Sequence, residues 1–111
     1  HTVGPIYQRN NTLVQEQLAS AYRRSLEVAE ANSIRTIAFP SISTGAYGYP
    51  IEEAAPIALK TVIDYVNEHD VFERITFVFL TESGYETYSQ ALTALVAHNE
   101  DQITPIKKGS T

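Results

Sequence analysis

Along the chain, helical stripes of hydrophobic positions alternate with short apolar runs that read as strands. Val14, Leu18, Ala21, Tyr22, Leu26 and Ala29 recur at three- and four-residue spacing, the stripe of a helix that buries one side. Thr12-Leu13-Val14-Gln15 ahead of it has the form of a capping box, and Asn32-Ser33 is a polar stop. Ile34 to Phe39 is a β-branched and aromatic run with little alternation beyond Arg35-Thr36, which predicts a strand covered on both faces. A second helical stripe follows, with Ala54, Ala58, Val62 and Val66 in line and Leu59 and Ile63 beside them, ended by the polar run Asn67 to Asp70. Pro56 is cheap only in a first turn, so regular hydrogen bonding is predicted to start no earlier than Glu52 or Glu53. Ile75 to Leu80, ITFVFL, is the most apolar run and predicts a central strand. Ser83-Gly84-Tyr85-Glu86 reads as another capping box, followed at helical spacing by Tyr85, Tyr88, Leu92, Leu95 and Val96.

Two short ends complete the pattern. Thr2-Val3 predicts a brief first strand stopped by Gly4-Pro5, and the chain from His98 onward, including DQITPIKKGST, reads as a polar tail. The sequence thus divides into a folded portion, 1–97, and a tail, 98–111. The order βαβαβα argues for an α/β fold with a parallel sheet and right-handed crossovers. Three strands are few for a sheet buried on both sides.

Composition narrows the function classes. With 111 residues the chain holds one modest core. Its formal charge is −5, and the only basic pairs, Arg23-Arg24 and Lys107-Lys108, stand apart from aromatics, so a nucleic-acid stripe is not expected. There is no Cys, which excludes disulfides and thiol chemistry. His1, His69 and His98 are scattered and form no short ligand motif, so neither a metal nor a cofactor is expected. No apolar run reaches membrane-spanning length, no membrane partner is expected, and a cytoplasmic location is the default expectation. The absence of Met, and the abrupt start at HTVGPIY, lead to the expectation that the sequence is a piece of something larger.

The candidate chemistry lies in SISTGAYGYP, Ser41 to Pro50, between the second strand and the second helix. Ligands of parallel α/β sheets bind at such strand-to-helix loops. Gly45 and Gly48 allow positive φ, Ser43 and Thr44 offer hydroxyls, and the next helix supplies the positive end of its dipole. Together they suit an anion whose charge is spread over several oxygens, such as a diphosphate; the alternative is a tight turn with no ligand. It is not a Walker loop, since GxxxxGK[ST] is absent and no Lys lies between Ser41 and Leu59. Glu52 and Glu53 favour the helix start but oppose an anion unless they point away. Tyr47 is placed to stand over a sugar, whereas Tyr49 before Pro50 reads as a hydrophobic staple. No GxSxG elbow, His–Asp pairing or paired-carboxylate signature is present.

HTVGPIY, IAFPSISTGAYGYPIEEAA and ITFVFL, followed by Tyr85 and Tyr88, resemble the macrodomain (Appr-1″-p processing, ADP-ribose-binding) family in order and spacing. The resemblance runs from His1 to about Ala97 and is strongest to the branch of mono-ADP-ribosyl hydrolases and O-acetyl-ADP-ribose deacetylases. It implies a three-layer α/β/α fold, present here only in its C-terminal portion, without the N-terminal strands and a first glycine-rich loop. It implies that Ser43, Thr44, Gly45, Ala46, Tyr47 and Gly48 wrap the diphosphate of ADP-ribose through backbone amides, with Tyr47 near the distal ribose. Leu80 stands where many relatives place an aromatic over the adenine, with Phe79 one position earlier. No catalytic residue carries over, so the implied hydrolase activity belongs to an intact parent, and this chain is expected to bind weakly and not turn over. Its uncovered sheet is expected to favour a homo-oligomer. Two rival readings remain at this point: a non-catalytic, assembling half-domain, and a binder of another phosphate ligand.

Overall fold

The computed structural model describes residues 2–96 and 103–107. Its elements are α1 (Leu13–Ala31), β1 (Thr36–Pro40), α2 (Ile51–Glu68), β2 (Arg74–Phe79), α3 (Glu82–Val96) and β3 (Ile103–Lys107). The three strands form one sheet in the order β1-β2-β3, all parallel, with Ile37 opposite Ile75 and Ile75 opposite Ile103. The chain is an α/β fold with a parallel sheet and three helices, and ITFVFL supplies its central strand as the sequence predicts.

The core lies on one face of the sheet. Phe39, Ile75, Phe77 and Phe79 are buried there beneath the apolar stripes of the helices, among them Leu18, Tyr22 and Leu26 of α1, Ala58, Leu59 and Val62 of α2, and Tyr88 of α3. The rings interlock, with Tyr22 edge-on to Phe39 at 5.1 Å and Tyr88 against Phe79 at 4.6 Å. On the opposite face Thr36, Ala38, Pro40 and Arg74 are exposed, and Thr76 and Val78 are half-buried. The strand expected to be covered twice is therefore covered once, and a second helical layer is not present among the described residues.

The two ends differ from the sequence reading. Thr2-Val3 is not a strand; the segment crosses α1, with the Thr2 hydroxyl donating to the Ala21 carbonyl at 3.5 Å. No ladder partner for it exists among the described residues, and an extended segment without one is not a strand. Conversely, Ile103–Lys107 lies in the segment read as a tail, yet pairs along β2. The run is short and contains Pro105, which a sheet accepts at an edge, and β3 is an edge. The boundary at Ala97 and His98 falls outside the described residues.

Helix starts differ for local reasons. Thr12 has helical backbone angles and makes no cap; instead the Asn11 side chain accepts from the Leu13 amide at 2.9 Å. Thr81, not Ser83, caps α3 by accepting from the Gly84 amide at 3.1 Å. α2 begins at Ile51, ahead of the predicted start, because the Pro50 carbonyl accepts from Glu53 and Ala54; Pro56 then falls one or two residues deeper in the helix than predicted.

Candidate ligand site

Ser41 to Pro50 joins the carboxyl end of β1 to the start of α2. The loop closes on itself: the Tyr49 amide donates to the Ser43 carbonyl at 2.9 Å, and the Gly48 amide to the Gly45 carbonyl at 3.0 Å. The N-terminal segment clasps it from outside, through the Tyr7 amide on the Tyr47 carbonyl at 2.9 Å. Ser43 and Gly48 are left-handed, with φ of 69° and 76°. Gly45 is not, so the predicted positive φ holds at Gly48, while Ser43 takes the other left-handed position.

Closure leaves some donors over. The amides of Ser43, Gly45, Ala46 and Tyr47 have no acceptor among the described residues, and the first amides of α2 lie beside them without helical partners. A Cβ built on Gly45 meets no atom within 4 Å, so the loop's outer side there is open. Glu53 turns away, accepting a hydrogen bond from the Tyr7 hydroxyl at 3.2 Å, which removes part of the expected opposition to an anion.

The hydroxyls behave differently from expectation. Thr44 Oγ1 points inward, to Ser41 Oγ at 2.8 Å and the Ser41 carbonyl at 3.0 Å. Ser43 Oγ is buried without a hydrogen-bond partner, packed against Gly4, where a Cβ would stand 2.2 Å from it. With Thr44 Oγ1 bonded and Ser43 Oγ buried, the loop's remaining unpaired donors are backbone amides. Tyr47 is 39% exposed, Leu80 lies past the end of β2 and is 81% exposed, and Tyr49 is buried against the Tyr7 ring at 4.9 Å.

Beneath the loop, two core phenols fix its first turn. The Tyr22 hydroxyl donates to the Pro40 carbonyl at 3.2 Å and accepts from the Ile42 amide at 3.0 Å. The Tyr88 hydroxyl is hydrogen-bonded to Ser41 Oγ at 2.9 Å. Burial holds the Tyr22 phenol well above its ordinary pKa and raises that of Tyr88, so both are neutral hydroxyls at physiological pH. Sequence reasoning assigned both tyrosines to the core and missed their second task; it also missed Gly4, whose signal was its place in HTVGP. Among the described residues no His, Cys, Asp and Glu cluster could hold a metal ion.

A loop whose amides are unpaired among the described residues, beside a helix N-terminus, is an arrangement of backbone that suits an anion. The profile of the Macro domain family matches residues 1–58, just over half of the chain. The chain belongs to the macro domain family. A macro domain-containing protein of Caldanaerobacter subterraneus subsp. tengcongensis is 50% identical over 91 residues, which cover 82% of this chain and 51% of that protein. An O-acetyl-ADP-ribose deacetylase of Klebsiella pneumoniae is 46% identical over 92 residues, covering 83% of this chain and 53% of that protein. The Oceanobacillus iheyensis macrodomain with ADP superposes with a TM-score of 0.83 at 45% identity, over 87% of this chain and 50% of that one. A variant of the same macrodomain was solved with ADPR. This macro domain chain spans about half the length of the curated relatives it matches.

Proposed function

We propose that this chain carries the diphosphate-binding loop of an ADP-ribose site. The amides of Ser43, Gly45, Ala46 and Tyr47 would receive the phosphate oxygens, with Gly48 closing the loop. Tyr47 would lie beside the distal ribose, and Leu80 would pack on the adenine side. The observation that carries this reading is the set of unpaired amides around Gly45, opening onto space that a Cβ would enter without touching the protein. ADP and ADPR in the Oceanobacillus relative, and the deacetylase name of the Klebsiella relative, support the ligand class. On this reading an intact parent hydrolyses an ADP-ribosyl or O-acetyl-ADP-ribose ester, while the chain itself binds weakly and does not turn over. Isothermal titration with ADP-ribose tests it. Binding should weaken by about tenfold or more in Gly45→Val, a loss of about 1.4 kcal/mol or more. Equal affinity in the two proteins would remove the loop from the site, and equal affinity for inorganic pyrophosphate would point to another phosphate ligand.

A second reading rests on a different observation. The outer edge of β1 pairs with no strand among the described residues, and beside it lies a groove of about 390 Å³ lined by Val28, Ile34 and Ile37. In that reading the chain is an assembling half-domain, silent in the titration and oligomeric in solution.

A further inference from the structure

The loop's shape is set from beneath by hydroxyls on two separate helices. Tyr22 of α1 and Tyr88 of α3 are fully buried against Phe77, at ring distances of 6.0 Å and 5.4 Å, and their hydroxyls emerge at the carboxyl end of β1. Tyr22 grips the backbone on either side of Ser41, through Pro40 and Ile42. Tyr88 grips the Ser41 side chain, and Ser41 in turn accepts from Thr44, the last residue before Gly45. An unbroken line of hydrogen bonds therefore runs from the α3 core to the edge of the unpaired amides. These amides have no acceptor among the described residues, so their direction rests on the loop's own backbone bonds and on the line beneath them.

We propose that Tyr88 is a positioning residue for the anion loop: acting through Ser41 and Thr44, it holds the amides of Gly45 to Tyr47 in their receptive geometry before a ligand arrives. Tyr22 anchors the start of the same turn. A core aromatic would serve packing equally well as Phe. The hydroxyl is what the loop requires, because ordering the loop in advance removes a cost otherwise charged against binding.

The test compares the full chain with Tyr88→Phe, which keeps the ring and removes one oxygen, by amide hydrogen exchange. Informative amides are those of Thr44, Gly48 and Tyr49, which are bonded within the loop. Loss of one hydrogen bond should speed their exchange about five- to tenfold, while the strand amides of β2 are unchanged. Thr44→Val, at the outer end of the line and away from the core, should produce the same local acceleration should the Phe variant not fold. Ser41→Ala removes the oxygen that meets both Tyr88 and Thr44, so adding Tyr88→Phe to it should produce no further acceleration. Unchanged loop exchange, or acceleration shared equally with β2, overturns the proposal. The ligand arm rests on the reading of the loop as a diphosphate site: ADP-ribose affinity should fall about five- to tenfold in Tyr88→Phe. Were the parent chain not to bind ADP-ribose, that reading would fail, and the exchange experiment would still decide the positioning role.

Discussion

Two glycines near the site stand in opposite surroundings. A Cβ on Gly4 would lie 2.2 Å from Ser43 Oγ and 2.3 Å from Ile42 Cγ2, and Ile42 is a buried, β-branched residue with little room to turn. A Cβ on Gly45 would touch nothing. Gly4 is therefore small for the protein, whereas the protein's own packing makes no such demand at Gly45. Gly4→Ala should destabilise the chain by about 1–3 kcal/mol through overpacking, whereas Gly45→Ala should stay within about 0.5 kcal/mol of the parent. Urea unfolding of the two variants measures the contrast, and similar losses at both positions would contradict it. The sequence revealed Gly45, since a cluster of small residues between strand and helix is a local signal. It could not reveal Gly4's task, nor the inward turn of Thr44. Both depend on neighbours that only the fold supplies: Ser43 for one, and the Ser41–Tyr88 pair for the other.

Between elements, α1 and α2 are joined at their C-terminal ends by a polar clasp. The Tyr65 hydroxyl donates to Glu30, whose carboxylate also lies 3.3 Å from His69 Nδ1. His69 stacks on the Tyr65 ring at 4.3 Å, and Arg23 stands 5.5 Å over the same ring. Burial first, and then the hydrogen bond to Glu30, push the Tyr65 phenol from 10.0 up to about 12. A folded value above the unfolded one means that the contribution is complete below pH 10 and is lost as pH rises toward 12. Tyr65→Phe should cost about 1 kcal/mol at neutral pH, and the advantage of the parent over this variant should shrink across that alkaline window. Denaturant titrations of both proteins at stepped pH follow the difference, and a gap that stays constant to pH 12 would be inconsistent with the clasp. The helices were legible because their period is strong, and β1 and β2 because their runs are β-branched, aromatic and apolar; observed bounds differ from the pattern mainly at the ends. Capping was less legible, because Thr12 and Ser83 match a cap by type while Asn11 and Thr81 hold the cap by geometry. ITPIK carried too little apolar length to signal β3.

At the scale of the whole molecule, the fold is asymmetric: helices cover one face of the sheet, and the other face and the β1 edge are open among the described residues. Val28 is 56% exposed and Ile34 is 44% exposed beside that edge, lining the same groove as Ile37 and Ile42. Unpaired strand edges next to apolar surface recruit further strands unless charge or Pro blocks them. β1 has Pro40 at its end, and no Lys or Arg between Thr36 and Pro40. The net charge of −5 opposes association only weakly at physiological salt, where screening shortens its range. The chain should therefore self-associate as its concentration rises, and a Val28→Lys, Ile34→Lys double variant should remain monomeric while keeping the parent's helix content. Sedimentation velocity across a concentration series distinguishes the cases. A parent chain that stays monomeric throughout would leave the groove with no copy of itself to cover it, and the half-domain reading would fall. Association abolished by the two lysines would locate the contact at the Val28 and Ile34 end of this groove, and a variant that is monomeric yet keeps its ADP-ribose affinity would separate assembly from ligand binding.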